Sequence, residues 1–319
     1  MEELNEMNYF SVENNMRYFG SSQIKSFLQC EAKGLAEARG EYVRPETEAL
    51  ASGKFIDAWL TGGMDGFIEE HPTMFKKDGT MKVQYKRCLD AAERASRDNV
   101  FTEYMAGEKQ VIMTGKIFGY DFKIKVDALH DDKIVDLKYI RDFGRVYKEG
   151  IGYTDFITAW GYDLQGYIYQ QVVKANTGRS LPFYIAAITK ETVPDIAVIH
   201  VPDWKLQSAG AVIEDVIGHL HDLKIGKEKP KRCGRCDFCK ETKVLQGPQE
   251  YEAFIGLEEE PAVLPEAVPA PKAESAKEKR RRYSREWRKR NKKKVKEYNR
   301  RYRQKKAESR KSERKDKEC

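Results

Sequence analysis

Residues 109–140 constrain the fold more than any other stretch. Three short runs, KQVIMTG, YDFKIKVDALH and KIVDLKYI, are rich in β-branched residues and are joined through KIFG and HDDK. Such runs with such short turns predict a meander of three strands. The last two carry charge where a half-buried strand calls for none. Residues i and i+2 of a strand share a face, about 6.5–7 Å apart, so Asp136 and Lys138 stand side by side. On the preceding run Phe122, Ile124 and Val126 alternate with Lys123, Lys125 and Asp127, which turns Asp127 away from the apolar set. The short turn then lets Asp127 and Asp136 sit on neighbouring strands. Two readings fit. One is a surface ion pair on an edge strand. In the other, two carboxylates that would repel each other share a cation with oxygen ligands. Lys138 beside it would then stabilise charge on a phosphate or orient an attacking water.

The flanking sequence predicts helices. SSQIKSFLQCEAKGLAEARG reads as one helix opened by Ser21 or Ser22, with Ile24, Phe27, Leu28 and Leu35 as its apolar stripe. Residues 46–61 form a second helix, ending before Gly62–Gly63, and 81–105 a polar third. Residues 155–176 have helical periodicity and stop at Gly178; FYIAAITK and DIAVIHVP supply two more strands, and 203–224 a closing helix. This order predicts an α/β fold, a mixed central sheet flanked by helices. From about residue 246 the chain turns to Pro, Glu and Ala, which cannot bury enough surface to fold. We therefore expect a domain over 1–245, a linker over 246–274 and a separate tail over 275–319.

Charge divides the chain the same way. Residues 275–319 hold 23 Lys/Arg against 7 Asp/Glu, a net of +16, which leaves −9 on residues 1–274. A basic tail on an acidic body suits a polyanionic partner. Read as a helix, the tail gathers Tyr283, Trp287, Val295, Tyr298 and Tyr302 within about 120° of the circumference, the rest being Lys and Arg. Arg281, Arg282, Arg285, Trp287, Arg288, Lys289 and Arg290 are its candidates for phosphate contact and base stacking. The plainer reading is a disordered solubilising tail. No apolar run approaches the roughly 18–20 residues of a membrane span. The first twenty residues lack a basic segment followed by an apolar one, so a cytoplasmic protein is expected.

Two helical pairs bear on the choice. Gln165 and Tyr169, spaced i and i+4, project from one helix face, and Gly53 and Asp57 have the same spacing earlier. A glycine one turn above a carboxylate leaves room for a ligand backbone. Packing alone would also account for each. Together, Gly53-x3-Asp57, Asp127, Asp136-Leu137-Lys138 and Gln165-x3-Tyr169, in this order, resemble the PD-(D/E)XK nuclease superfamily, and within it the phage RecE-like (exonuclease VIII-like) exonucleases. SGKFIDAWL, GEKQVIMTG, AWGYDLQGYIYQ and RCGRCDFC extend the likeness over about residues 16–245. The resemblance implies a restriction-endonuclease-like core that hydrolyses DNA with Mg²⁺ or Mn²⁺. Asp127, Asp136 and the Leu137 carbonyl would bind metal, Lys138 would assist the attacking water, and Gln165 and Tyr169 would position the strand. Glu108 lies where related nucleases often place a further acid. Many relatives have His where this chain has Asp57, which can still ligate a metal.

Cys233, Cys236 and Cys239, in CGRCDFC, have metal-ligand spacing and lack a fourth ligand. Cys30 is the first candidate, about 60° from Phe27 on the helical wheel. Some nuclease relatives resemble this arrangement, clipping an early Cys to a late cluster with a [4Fe–4S] centre. Zinc is the alternative, with His219 or His221 as a substitute ligand; three reduced thiols would be the plain reading. The family likeness implies a DNA exonuclease, phage or prophage encoded in a bacterial host. It would resect duplex ends beside a RecT-like annealing protein and assemble as a homo-oligomer. A structure-specific or nicking endonuclease and an inactive DNA-binding protein are the competing functions.

Overall fold

The computed structural model describes residues 3–148 and 152–245, with 247, 248 and 251 beyond them. The basic helix expected over 275–319, with Arg281, Arg282, Arg285, Trp287, Arg288, Lys289 and Arg290, lies outside the described residues, as does nearly all of the expected linker.

Among the described residues seven α-helices and a short 3-10 turn (Pro72–Met74) precede the sheet: α1 (Val12–Arg17), α2 (Ser21–Gln29), α3 (Glu31–Ala38), α4 (Glu48–Thr61), α5 (Met64–Glu70), α6 (Val83–Ser96) and α7 (Asn99–Tyr104). The expected meander follows as β1 (Glu108–Ile117), β2 (Tyr120–Leu129) and β3 (Ile134–Ile140). A hairpin of β4 (Val146–Lys148) and β5 (Gly152–Thr154), not foreseen from the sequence, leads to α8 (Phe156–Ala159) and α9 (Tyr162–Thr177). β6 (Phe183–Thr189), β7 (Ile196–Val201), α10 (Asp203–Lys224) and α11 (Asp237–Glu241) complete the chain. The five-stranded sheet runs β1-β2-β3-β6-β7. β3 and β6 are parallel and the other pairs antiparallel, so the sheet is mixed as expected. The parallel step is a crossover through α9.

Helices cover both faces. On one, Phe122, Ile124, Val126, Ile134 and Ile185 pack under Ile24 and Phe27 of α2, Ile168 and Val172 of α9, and Leu206 and Ile213 of α10. On the other, Val135, Leu137, Ala186 and Ile188 pack under Phe55 and Ile56 of α4 and the alanines of α6. Gly166 lets α9 lie directly on the sheet, since a Cβ there would stand 2.5 Å from the Phe183 ring.

Three expected helices are broken. The first divides at Cys30, whose backbone is extended, and α3 folds back so closely that a Cβ on Gly34 would meet Phe27 at 2.8 Å. The break removes Leu28 from the apolar stripe and leaves it 45% exposed. Asp98 caps α7 and ends the 81–105 helix early, its carboxylate accepting from the Phe101 amide. Gly161, at φ 61°, separates α8 from α9. Lys123 also departs from expectation. It is buried beneath the N-terminal segment, donating to the Tyr9 carbonyl and to Asn15 Oδ1, while Lys224 donates to the carbonyls of Asn15 and Tyr18.

Candidate active site

The ladder between β2 and β3 holds for only two register pairs, Leu129 with Ile134 and Ala128 with Val135. Beyond them Asp127 takes over a backbone role: its Oδ2 accepts from the Leu137 amide at 2.8 Å. The candidate site lies where the two strands have parted.

Strand alternation sends Asp136 and Lys138 to the α9 face, as the sequence predicts. Asp136 is 1% exposed. Its Oδ1 accepts from Gln165 Nε2 at 2.6 Å, and its Oδ2 meets the Lys138 ammonium without a well-formed hydrogen bond. The i, i+4 pair on α9 acts as one unit. Gln165 Nε2 also reaches the Tyr169 hydroxyl at 3.1 Å, and that hydroxyl donates to the Lys125 carbonyl at 2.8 Å. Burial raises the Tyr169 pKa well above the ordinary phenol range, keeping it a donor. Asp57 comes from α4, on the opposite face. A Cβ on Gly53, one turn before it, would meet nothing within 4 Å.

Two participants were not foreseen. Gln110 holds a left-handed backbone at φ 55°, and its Nε2 lies 3.2 Å from Asp57 Oδ1 and 3.5 Å from Asp127 Oδ1, linking the carboxylates. A non-glycine residue in that conformation costs about 1–3 kcal/mol, and such strain concentrates at functional sites. Lys25 of α2 donates to Gln165 Oε1 at 3.4 Å, and burial, with Lys138 adding repulsion, pushes its ammonium down to about 8. Glu108, the expected further acid, is exposed at the start of β1 opposite Leu129. Gln110, rather than Glu108, touches the carboxylates.

The electrostatics are unbalanced. Burial, then the Asp136 charge, pushes the Asp127 carboxyl up; burial does the same to Asp57, partly offset by Lys125 and Lys138. Burial works against the Lys138 charge, but Asp136 and Asp127 outweigh it and hold the ammonium above its ordinary range. Asp57, Asp127 and Asp136 thus feel one another's charge, with Gln110 bridging the first two and Lys138 paired to the third. A divalent cation between these carboxylates would relieve the repulsion that raises Asp127 and Asp57.

The sequence and the fold both have a match. A family profile described as a PDDEXK-like domain of unknown function (DUF3799) covers residues 20–242. The chain belongs to this family. A protein of Eubacterium rectale, provisionally named an exonuclease, has a crystal structure similar to it at a TM-score of 0.77 and 37% identity, over 81% of this chain and 100% of that one. No curated protein matches. The PD-(D/E)XK superfamily expected from the motifs is therefore this chain's own, and the sheet and helices are its restriction-endonuclease-like core.

The four cysteines form a second cluster. The break at Cys30 turns its thiol toward the late motif, and the Sγ atoms of Cys30, Cys233, Cys236 and Cys239 all lie within 4.8 Å of one another. Cys30 and Cys239 are 3.6 Å apart, and Cys233 and Cys239 3.9 Å. Amides of Cys236, then Arg235, hold the Cys233 thiol low, while burial pushes Cys236 up. Zn–S bonds of about 2.3 Å in a tetrahedron set sulfurs about 3.8 Å apart. A [4Fe–4S] cubane places irons and sulfides between its thiolates and spreads them wider. The four residues fit a thiolate-ligated metal centre. His219, the substitute ligand, is engaged by Glu228 and Glu31, and His221 lies against Tyr120 and Asp222.

Proposed function

We propose that this family member is a divalent-metal-dependent DNA exonuclease that hydrolyses phosphodiester bonds from duplex ends. One observation carries the reading. Asp136 is buried between Gln165 and Lys138 while Asp127 and Asp57 stand near enough to shift with it. A structural ion pair has no use for two further carboxylates.

Asp57, Asp127, Asp136 and the Leu137 carbonyl would hold Mg²⁺ or Mn²⁺, which supplies charge for the phosphate oxygens and acidifies water. Lys138 keeps its proton and faces the phosphate from the side of Asp136, stabilising the added negative charge of the transition state. Gln165 fixes the Asp136 rotamer through its amide, and Tyr169 fixes Gln165. Lys25 gives the strand a second cation behind them.

The four thiolates suit one structural Zn²⁺, with an iron–sulfur centre as the alternative; metal analysis and an ultraviolet–visible spectrum of the purified protein distinguish them. Residues 275–319 would contact phosphates and offset the repulsion between DNA and an acidic body. Resection by such an enzyme yields single strands for a RecT-like annealing partner, and a homo-oligomer could keep the DNA in place between cuts.

The test is end-labelled linear duplex and a closed circle of the same sequence, each with Mg²⁺ and either native protein or Lys138→Ala. Loss of the linear DNA alone, abolished by Lys138→Ala, is the expected result. Cutting of the circle makes the enzyme an endonuclease. If neither DNA is cut with Mg²⁺ or Mn²⁺, the catalytic reading fails.

A further inference from the structure

A cavity of about 570 Å³ opens on the far side of Lys25 from Gln165 and is lined by none of the three site carboxylates. Its walls come from α2, β4, the α8–α9 junction and the first half of α10. This volume falls within the roughly 300–1,000 Å³ of small-ligand sites. Lys25 belongs to both places: its stem lines the cavity while its ammonium reaches Gln165, the partner of Asp136. Gly161 makes this possible, because a Cβ there would stand 2.9 Å from the Lys25 side chain.

The chemistry of the walls is specific. Trp160 and Trp204 line the cavity and are 49% and 69% exposed. Single exposed apolar residues need no explanation, but two indoles on one opening beside Leu28 and Val212 form a patch. Lys148 sits 4.2 Å from the Trp160 ring centre. Lys205 is tied to Asp155 and Thr158 and the Lys25 ammonium to Gln165, leaving Lys148 as the cation to meet a ligand. Asp163 is the acid on the wall. The walls carry Lys25, Lys148 and Lys205 against one acid, Asp163, in a body of residues 1–245 that is nearly balanced at 34 Lys/Arg and 37 Asp/Glu. They suit an aromatic ring that carries negative charge.

We propose that this cavity seats one unpaired nucleotide of the strand being cut, its base against the Trp160 and Trp204 rings and its phosphate toward Lys148. The inference rests on the nuclease reading and adds to it. Stacking tolerates every base, so the site selects for an unpaired end and not for sequence. Frayed ends are then better substrates than clamped blunt ends.

The experiment uses full-length Lys138→Ala protein with Mg²⁺ and a duplex whose frayed end carries 2-aminopurine, prepared for each strand in turn. Binding is expected to quench the probe. Trp204→Leu in the same protein is expected to remove the quench and weaken binding about 5- to 150-fold, the range of one lost base–aromatic stack, while Trp204→Phe keeps both. With Lys138 present, Trp204→Leu raises KM for frayed ends more than it lowers kcat. An unchanged quench in Trp160→Leu/Trp204→Leu overturns the proposal, as does a quench lost with Trp287→Leu instead. Native protein that cuts DNA and ignores both tryptophans sinks this inference and spares the nuclease. Native protein that cuts nothing sinks the nuclease, while a quench lost with Trp204→Leu still supports a nucleotide site.

Discussion

Asp127 does two jobs with one carboxylate. It replaces a missing rung of the sheet by accepting the Leu137 amide, and it places negative charge beside Asp136 and Asp57. An Asn could accept the same amide without the charge. Asp127→Asn is therefore expected to raise metal-free stability by about 0.5–2 kcal/mol, as relief of active-site strain does elsewhere, while abolishing cleavage. Thermal unfolding in a chelator, paired with the linear-duplex assay, reads both. A fall in Tm would mean that the charge itself holds the strands. Much at this scale was legible. Asp136 and Lys138 followed from period-two alternation, and Gln165 and Tyr169 from one helical turn. Gln110 and Lys25 were not, because neither owes its place to a periodic pattern. Gln110 needs a left-handed backbone that its sequence neighbours do not announce. Lys25 borders the apolar stripe of α2, one turn from Leu28, and periodicity picks out only the apolar residues of that helix.

At the scale of elements, α4 offers a direct contrast between folding and function. Gly53 lies inside a helix, faces open space and is followed one turn later by Asp57. Gly53→Ala should stabilise the protein by about 0.5–1 kcal/mol, the usual gain for Ala over Gly in a helix. If substrate passes over this face, the same change lowers kcat/KM; stability comes from a denaturant titration and activity from the duplex assay. Equal gains in both would make Gly53 an ordinary surface glycine. The N-terminal segment gives a pH test. Burial, with Lys123 adding repulsion, pushes Lys224 from its ordinary 10.5 down to about 7. Between these values the unfolded chain holds a proton that the folded one has released, so stability rises with pH. Below pH 7 both forms are charged and the cost of burial is carried in full. Melting curves from pH 6 to 9 should thus favour native protein over Lys224→Met increasingly as pH rises. The gain is at most about 1.4 kcal/mol per unit. Strands were readable here because alternation and short turns are local. The break between α2 and α3 was not. Helical periodicity runs unbroken through Cys30, whose extended backbone is set by a contact with Cys239, 209 residues away.

At the scale of the molecule, the cysteines join the third helix to the far end of the domain. A bound ion that the unfolded chain does not hold adds about 2.7 kcal/mol when free metal exceeds its Kd a hundredfold. Chelation should then lower the Tm of native protein, while Cys30→Ser starts from the lower value and hardly responds to chelator. A response equal in both would show that the thiols hold nothing. The same arrangement sets a clock on biosynthesis. At 5–20 residues per second, Cys30 waits about 10–40 s for Cys239 to be made. Through that interval the C-terminal end of α2, the helix that carries Lys25 toward Gln165, packs on α3 without the late cysteines. A ribosome therefore delivers the strands of the candidate site first and the thiol cluster last, so the helix that carries Lys25 gains its Cys239 contact only as the domain nears completion.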